Sequence, residues 1–347
     1  MSLKLFPYFV LFLSLNLLAQ TKDQKHFKWD SIESFKDKRG LNGAFLGIHN
    51  DVFIVAGGSN FAEAPVWEGG SKSWYDNIEV LQKNESGYKW IENIQVKLPR
   101  PLAYGASVST KEGVLCIGGN NEKGVYNDVF LLKWNISTQT IEIEEKPPLP
   151  VPLANFQATS IGNEIFVVGG QDKEGAAATN YFFSFKNGVW KRLPDLPGPG
   201  RIQPVVISQN NGKTNSVYVF SGIHYDPQAN DPNQFLDDAY EYNPLQKKWD
   251  KKSSVPYNKT PGLSGGYIGA APAIKSGDAH IIIFGGAGGE RQLWNKRLNI
   301  LKQIDQLEPV ADKKVIDSLK YEITQIFQNT SFSPTVWAYH TISERPR

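Results

Sequence analysis

Pairs of glycines that close short apolar runs recur along the whole chain and constrain its fold more than any other feature. The runs are FIVAGG (53–58), LCIGG (115–119), FVVGG (166–170), the variant VYVFSG (217–222) and IIIFGG (281–286). Their last glycines stand at positions 58, 119, 170, 222 and 286, so successive repeats are 61, 51, 52 and 64 residues apart. This spacing indicates a chain built from successive copies of one supersecondary unit.

Each repeat has the pattern of four antiparallel strands. Two strands joined by a tight polar turn end on the glycine pair, as in AFLGIHNDVFIVAGG (44–58), and a third follows after a loop, as in WYDNIEVLQ (74–82). A fourth strand often carries tryptophan and ends on proline, as in VWKRLPDLP (189–197). Aromatic residues, 12% of the chain, suit such pleated surfaces. Four strands per unit and a period near 50 predict an all-β fold, a kelch-type β-propeller.

The glycine pairs have a structural explanation. Glycine lets the backbone adopt positive φ and approach its neighbour closely near the propeller axis. No helical pattern begins immediately after any pair, and the chain contains no G-x-G-x-x-G motif. The sequence therefore excludes a phosphate-binding loop at these positions.

Residues 293–328 interrupt the fifth unit and predict two helices. Apolar residues that recur every three or four positions would form one apolar face on each helix. These residues are Leu298, Leu301, Ile304 and Leu307 before Pro309, and Ile316, Leu319, Ile323 and Phe327 after it. The insertion grows from a loop at the end of the channel, which favours a position over the channel mouth. Packing against the outer wall of its own blade remains the alternative.

The two ends of the repeat array predict an incomplete ring. HFKWDSIESFKDKRG (26–40) has the pattern of an outer strand with no blade before it. Propellers commonly close by letting one terminus complete the blade begun at the other, so this strand is expected to belong to a sixth blade. The fifth unit is expected to lack its outer strand after TVWAYHTISERPR (335–347). We therefore expect about five blades of a six-bladed arrangement, with the last blade missing.

The N-terminal segment MSLKLFPYFVLFLSLNLLAQTK (1–22) has the layout of a secretory signal peptide, with Lys4 before an apolar stretch and Ala19 after it. A membrane anchor, the competing interpretation, requires about 20 apolar residues. This stretch is shorter and is interrupted by Pro7 and Asn16. We expect residues 1–20 to be removed on export to the periplasm or the medium, leaving residues 21–347 as a propeller with no membrane association.

Composition excludes some further classes of protein. Cys116 is the only cysteine, so an intramolecular disulfide is impossible, and its place in VLCIGG predicts a buried strand residue rather than a nucleophile. The formal net charge of +2 gives no electrostatic reason to expect nucleic acid.

The loops between second and third strands crowd one end of a propeller channel, and the links between blades reach the same end. The candidate site residues are Asn60, Trp67, Glu68, Arg100, Asn120, Gln171, Arg201, His224, Tyr225, Glu290 and Arg291. Such amides, carboxylates, aromatics and arginines suit a polyhydroxylated, anionic small molecule. Arg100, Arg201 and Arg291 are the expected partners of its carboxylate. For each residue alone, a structural role stays open: asparagines as turn caps, Trp67 as a plug, arginines as solvated side chains.

Other chemistries find little support in the sequence. The histidines at positions 26, 49, 224, 280 and 340 show no metal-ligand spacing. A copper-radical oxidase would need clustered His and Tyr with a cross-linking cysteine, and Cys116 lies inside a strand. No G-x-S-x-G elbow is present for a serine hydrolase.

Several motifs resemble those of bacterial N-acetylneuraminate epimerases, the sialic-acid mutarotases, and in particular their cyclically permuted branch. They are VAGGSNF (55–61), WEGG (67–70), WYDNIEVL (74–81), GGNNEKGVYNDV (118–129) and FSGIHYDP (220–227), with a helical insertion after FGGAGGERQ (284–292). The resemblance covers nearly all of the predicted mature chain. It implies a six-bladed periplasmic propeller that interconverts the α and β anomers of N-acetylneuraminate without a cofactor.

The resemblance also implies a catalytic carboxylate and arginine in a G-E-x-x-P-G-x-R motif, in the blade after the helical insertion. This chain lacks the motif: GGERQLW places Glu290 and Arg291 side by side in an earlier blade, and LPGPGR has no carboxylate. The catalytic residues are therefore unknown from sequence, with Glu68 and Glu290 as fallbacks, and we expect little or no mutarotase activity. The rival hypothesis is a non-catalytic kelch module that binds glycans or a protein.

Overall fold

The computed structural model describes residues 31–65, 68–85, 87–254, 269, 271–286, 291–307, 312–328 and 335–346. Its main elements are five four-stranded antiparallel sheets, which we number as blades 1 to 5. In every blade the strands are hydrogen-bonded in the order in which they occur in the chain. The predicted β-propeller, with five blades and a helical insertion in the fifth unit, is confirmed.

The strands of blades 1 to 3 are as follows. Blade 1 contains Phe45–His49, Val52–Ala56, Ile78–Asn84 and Gly87–Trp90. Blade 2 contains Ala106–Ser109, Val114–Asn121, Gly124–Asn135 and Thr140–Glu145. Blade 3 contains Gln157–Ile161, Glu164–Val168, Phe182–Lys186 and Val189–Arg192.

The remaining elements are blades 4 and 5, two short ribbons and two helices. Blade 4 contains Val205–Asn210, Asn215–Phe220, Ala239–Asn243 and Lys248–Lys252, and blade 5 contains Ala273–Ser276, His280–Phe284, Val336–His340 and Arg345–Pro346. The ribbons pair Ser59–Asn60 with Ser73–Trp74, and Ile223–Tyr225 with Asn233–Phe235. Helix α1 spans Arg291–Leu307 and helix α2 spans Lys313–Gln328. Neither of these described helices is long and apolar enough to cross a bilayer.

Adjacent blades pack face to face because side chains alternate between the two surfaces of each strand. Between blades 1 and 2, for example, the rings of Phe45 and Phe130 meet edge to face with centroids 5.8 Å apart. His49 Nδ1 accepts a hydrogen bond from the backbone N–H of Trp134 at 2.9 Å. Cys116 lies in the same core and is fully buried, and this burial raises the pKa of its thiol well above the ordinary value.

The described part of the predicted outer strand at residues 26–40 forms no strand. Residues 26–30 lie outside the described part of the chain, and residues 31–40 contain no strand. This segment instead lies along blade 1, where Trp90 Nε1 donates to the carbonyl oxygen of Ser34 at 3.1 Å and the ring of Phe35 packs on Trp90. Local hydrogen bonds from Arg39 to the carboxylate of Asp37 bend the backbone and compete with strand pairing.

The outer strand of the fifth unit, which the sequence was expected to lack, is present in a short form. Tyr339 pairs with Pro346 and His340 pairs with Arg345. Pro346 has no backbone N–H to extend this ladder, which explains why the strand could not be recognised from its pattern. The predicted signal peptide, residues 1–20, lies outside the described residues.

Candidate functional site

A chain of backbone hydrogen bonds runs around one part of the channel and connects the blades. The residue two positions before the first strand of blades 1 to 4 has a left-handed backbone, with φ of 65° at Gly43, 60° at Tyr104, 59° at Asn155 and 52° at Gln203. Each of the last three donates its N–H to the carbonyl oxygen of the residue before it in this series, at 2.7–2.8 Å. Left-handed backbone is uncommon for residues other than glycine, and such outliers cluster at functional sites.

The residues after the glycine pairs are held next to this chain of hydrogen bonds. Each of the four links forms an isolated antiparallel bridge with the residue that follows a glycine pair or its Ser-Gly variant. The bridges are Asn42–Ser59, Ala103–Asn120, Ala154–Gln171 and Ile202–Ile223. The repeat therefore brings the loops that follow the glycine pairs to one end of the channel, as predicted.

A cavity of about 430 Å³ lies at this end, and we call it the channel cavity. Its lining includes three of the predicted site residues, Asn120, Gln171 and Tyr225. It also includes residues that the sequence analysis did not select: Lys72, Tyr104, Asn155, Glu174, Gln203 and Arg297. Glu174 is the one carboxylate among the described residues that line this cavity.

Amide groups on the cavity wall are only partly hydrogen-bonded to one another. Asn155 Nδ2 donates to Gln171 Oε1 at 3.2 Å, and Gln171 Nε2 donates to the carbonyl oxygen of Ala176 at 2.6 Å. Asn120 is 7% exposed, and its Oδ1 has no hydrogen-bond partner among the described residues. A buried amide oxygen without a partner is costly, and a hydroxyl of a bound molecule would satisfy it.

Helix α1 borders the channel cavity, at the position expected for the insertion, and helix α2 packs against helix α1. Arg297 and Leu298 of helix α1 line the channel cavity. Asn295 Oδ1 accepts a hydrogen bond from Asn233 Nδ2 of blade 4 at 2.9 Å, which fixes the helix to the ribbon beside the channel. The helices also pack on each other through a separate apolar cluster that contains Ile300, Ile304, Ile323 and Ile326.

A second cavity of about 650 Å³ lies between helix α1, helix α2 and the loop that follows the first glycine pair. Phe61, Pro65, Leu301 and Phe327 are among its lining residues. We call it the loop cavity. Lys72 and Arg297 line both cavities.

A third cavity, of about 470 Å³, lies beside the same backbone hydrogen-bond chain, because Gly43, Tyr104, Asn155 and Gln203 all line it. Its described lining includes Phe35, Leu46 and Val55 and contains no charged side chain. Amide groups line both cavities, so the charged side chains are what make the helix-covered end the better site for an ionic molecule.

Four other predicted site residues have structural contacts or lie on the surface. Asn60 is 3% exposed, with Oδ1 accepting from Tyr75 OH at 2.7 Å and Nδ2 donating to Gly40 O at 3.0 Å. His224 Nδ1 lies 2.8 Å from the carbonyl oxygen of Gly200. Arg100 forms a 2.9 Å ion pair with Asp128, and Glu68 is exposed in a turn.

Arg201, an expected partner for a ligand carboxylate, is instead fully buried between blades 3 and 4. Its Nη1 and Nη2 donate to the two carboxylate oxygens of Asp238 at 2.6 and 3.0 Å, and Nη1 also donates to Ser221 O at 3.0 Å. These partners occupy the guanidinium group. Trp67 and Glu290 lie outside the described residues, and Arg291 begins helix α1 with a side chain that is likewise not described.

Three of the cavity residues that were not predicted from the sequence share a position in the repeat that could have identified them. Tyr104, Asn155 and Gln203 all stand two residues before the first strand of a blade, in LAYGA (102–106), LANFQ (153–157) and RIQPV (201–205). Aligning the repeats on their first strands would bring these three polar or aromatic side chains into register. Arg297 carries no such signal, because it depends on how the helices pack.

Histidine, cysteine and carboxylate side chains form no group of three or more in the described ranges that could hold a metal ion.

A family model and several curated proteins that are similar to this chain carry the same name. A family model described as N-acetylneuraminate epimerase matches residues 146–345. The N-acetylneuraminate epimerase of Brucella suis is 36% identical over 121 residues, which cover 32% of this chain and 30% of that protein. The enzyme of the same name from Vibrio cholerae is 38% identical over 109 residues, 29% of this chain and 27% of that protein. The chain thus spans less than a third of the length of these curated relatives in the matched regions.

One further curated protein and one solved structure are also similar to this chain. The Caenorhabditis elegans protein named host cell factor homolog hcf-1 is 28% identical over 245 residues, 64% of this chain and 29% of that protein. A solved structure titled "Structure of YjhT" superposes with a TM-score of 0.62 at 11% identity, covering 92% of this chain and 86% of that one. At this identity the structural match establishes the propeller fold alone.

Proposed function

The chain belongs to the N-acetylneuraminate epimerase family, whose model matches more than half of its residues, and we propose that it binds N-acetylneuraminate in the channel cavity and accelerates the interconversion of its α and β anomers. The observation that carries the proposal is the cavity itself. It combines a carboxylate, an arginine, partly unsatisfied amides and two tyrosines in a volume of about 430 Å³.

The chemistry of this reaction matches the groups on the cavity wall. Ring opening removes the proton of the anomeric hydroxyl and adds a proton to the ring oxygen as the C–O bond breaks, and ring closure on the other face reverses both transfers. No oxidation state changes and no group leaves. A positioned side chain that exchanges protons is therefore sufficient.

Glu174 is the residue that we assign to proton exchange. It follows the glycine pair of blade 3, at the cavity wall, in the same loop as Gln171. Of the two fallback carboxylates, Glu68 does not line the channel cavity among its described residues, and Glu290 lies outside the described part of the chain. The Glu174 assignment replaces the Glu68 fallback.

The remaining groups suit the substrate's hydroxyl and amide groups. Asn120 Oδ1 needs a donor, and a sugar hydroxyl provides one. The Asn155 and Gln171 amides, already joined by a hydrogen bond, present further donors and acceptors. Tyr104 and Tyr225 offer flat apolar surfaces to the C–H faces of a sugar ring.

The test is the anomerisation rate of freshly released α-N-acetylneuraminate, followed by NMR in the presence of the parent chain and of Glu174→Gln. If Glu174 exchanges the proton, the variant should lose about 10²- to 10⁴-fold of the acceleration. Glu92→Gln is the matched control, because Glu92 is exposed beyond the outer strand of blade 1.

Two other outcomes separate the alternatives. Full acceleration by Glu174→Gln would assign the proton exchange to another group. Binding of the sugar by the parent without any acceleration would favour a non-catalytic kelch module that binds glycans. Export remains a separate proposal, which cell fractionation would test by locating the chain in the periplasm or medium.

A further inference from the structure

Two cationic side chains stand where the channel cavity meets the loop cavity. Lys72 and Arg297 line both spaces, one from blade 1 and the other from helix α1. They belong to segments more than 200 positions apart in the sequence, so only the folded chain brings them to the same cavities. We call this position the cationic junction.

Lys72 is held by aromatic rings rather than by a carboxylate. Its Nζ lies 4.9 Å from the ring centre of Tyr104, 5.6 Å from that of Trp74 and 6.0 Å from that of Phe61. Within the described part of the chain it makes no hydrogen bond and no ion pair. Ring faces attract an ammonium group but accept none of its three N–H donors in the way an oxygen does. Lys72 therefore keeps its hydrogen-bonding capacity while its position is fixed.

The ribbon strand and the aromatic rings that position Lys72 belong to the framework of the channel wall. Lys72 directly precedes the ribbon strand Ser73–Trp74, which pairs with Ser59–Asn60 just after the first glycine pair. Tyr104, the nearest ring, belongs to the backbone hydrogen-bond chain around the channel, and its hydroxyl accepts a hydrogen bond from Ser59 Oγ at 3.1 Å. The ammonium group is thus carried by the same framework that positions the cavity wall.

Cationic side chains outnumber carboxylates in the described lining on both sides of the junction. The described lining of the channel cavity has Lys72, Lys173 and Arg297 against Glu174. The described lining of the loop cavity has Arg39, Lys72 and Arg297 against Glu63, and Arg39 is bound to Asp37. Lys72 and Arg297 are half-buried, and because like charges at one cavity repel each other, an anion between them is favourable.

We propose that Lys72 and Arg297 bind the carboxylate of an acidic sugar at the cationic junction and make the channel cavity selective for acidic over neutral sugars. This inference rests on the proposed function, since it names the group that recognises the substrate's charge. The Arg297 guanidinium can donate hydrogen bonds to one or two carboxylate oxygens, and Lys72 supplies a point charge on the other wall. The anomeric carbon, which carries the carboxylate, would then lie in the cavity whose lining also includes Glu174.

The experiment measures binding of N-acetylneuraminate and of its neutral methyl ester to the 347-residue chain by calorimetry. The parent should bind the acid at least about 10-fold more tightly than the ester, and Lys72→Met and Arg297→Gln should each reduce that ratio by about 10-fold. Lys72→Arg should keep most of the preference for the acid over the ester. Lys83→Met is the matched control, because Lys83 also lies over a ring, that of Tyr88 at 6.0 Å, but on the exposed edge of blade 1.

The anomerisation rate, measured on the same samples, separates this inference from the proposed function. Acid-over-ester selectivity that depends on Lys72 and Arg297, without acceleration of anomerisation, would support the junction and reject the enzyme. If the parent accelerates anomerisation but Lys72→Met and Arg297→Gln keep its selectivity for the acid, carboxylate binding at the cationic junction is rejected. The proposed enzymatic activity is then retained. A parent that binds acid and ester equally, or binds neither, also overturns the junction.

Discussion

Two arginine–aspartate pairs, each joined by two hydrogen bonds to both carboxylate oxygens, lie in contrasting regions of the molecule. Between blades 3 and 4, Arg201 is completely buried and Asp238 nearly so, at side-chain exposures of 0% and 14%. Beside blade 1, Arg39 and Asp37 form a forked pair through Nε and Nη2, both at 2.9 Å, with exposures of 51% and 27%. The first pair joins two blades, whereas the second bends a surface segment.

This difference shows that residue type does not distinguish a structural cation from one that can bind a ligand. A buried charge must have a partner, so a guanidinium group between blades is already fully occupied. At the channel end, Lys72 is half-buried and has rings instead of a carboxylate. The contrast between the blade interface and the channel end therefore predicts which substitutions change stability and which change binding.

The largest expected effect is that of Arg201→Ala. It would leave the Asp238 carboxylate buried without its partner, which costs about 3–5 kcal/mol of folding free energy. Urea unfolding followed by tryptophan fluorescence measures the loss. Arg39→Ala, which removes the exposed pair, should leave the midpoint nearly unchanged. Equal midpoints for the two variants would show that burial does not separate the pairs.

A smaller effect is expected where the blade 3 glycine pair meets the same interface. Gly169 has a φ of 76°, and a Cβ placed there would lie 2.5 Å from the carbonyl oxygen of Arg201. Gly188 has a φ of 77° in a surface hairpin, with nothing within 4 Å of such a Cβ. Both alanine variants are strained by positive φ.

Comparing the stabilities of the two variants separates the effect of steric crowding from the effect of backbone strain. Because the alanine methyl collides only at the interface, Gly169→Ala should lower the unfolding free energy by about 1–3 kcal/mol more than Gly188→Ala does. Urea denaturation of the two proteins gives this difference. Similar losses would mean that the glycine pair is required for its backbone angle alone.

The smallest effect concerns the exposed pair and its dependence on pH. The side-chain hydrogen bond from Arg39, followed by its backbone hydrogen bond, lowers the pKa of Asp37 from 3.8 to about 2. Because the folded-state pKa lies below the unfolded one, the stabilisation is present above about pH 4 and is lost as the pH falls through about 2. The carboxyl carbon shift of Asp37, titrated by NMR, should have its midpoint near 2 in the parent. In Arg39→Ala the midpoint should return towards 3.8, and an unchanged midpoint would assign the shift to another cause.

Much of the fold could be read from the sequence because its signals are local and repeated. The glycine pairs, the two-residue alternation of strands such as FLGIH (45–49) and the three-to-four spacing in residues 293–328 are each decided within a few residues. The strand predicted at residues 26–40 failed because Asp37 and Arg39 hydrogen-bond to each other at short range. The two-residue strand Arg345–Pro346 was missed because it is too short to have a pattern.

The candidate site could be predicted only in part. Asn120, Gln171 and Tyr225 line the channel cavity because they follow glycine pairs or the Ser-Gly variant, and the repeat carries them to the channel. Arg201 was selected on the same positional argument, yet its ion pair with Asp238 depends on how two blades pack. No local pattern records such a pairing.

The sequence by itself determined the five repeated units, the helical insertion and the end of the channel at which polar loops converge, because hydrophobic periodicity and glycine conformation act between near neighbours. The tertiary structure alone decided which cations are neutralised. It placed helix α1 beside the channel cavity, brought Arg297 to the cavity that Lys72 lines, and left Asn120 Oδ1 without a partner in the part of the chain that the structure describes. Charge and hydrogen-bond pairing depend on distances of a few ångströms between segments far apart in the chain, and only the packed propeller sets those distances.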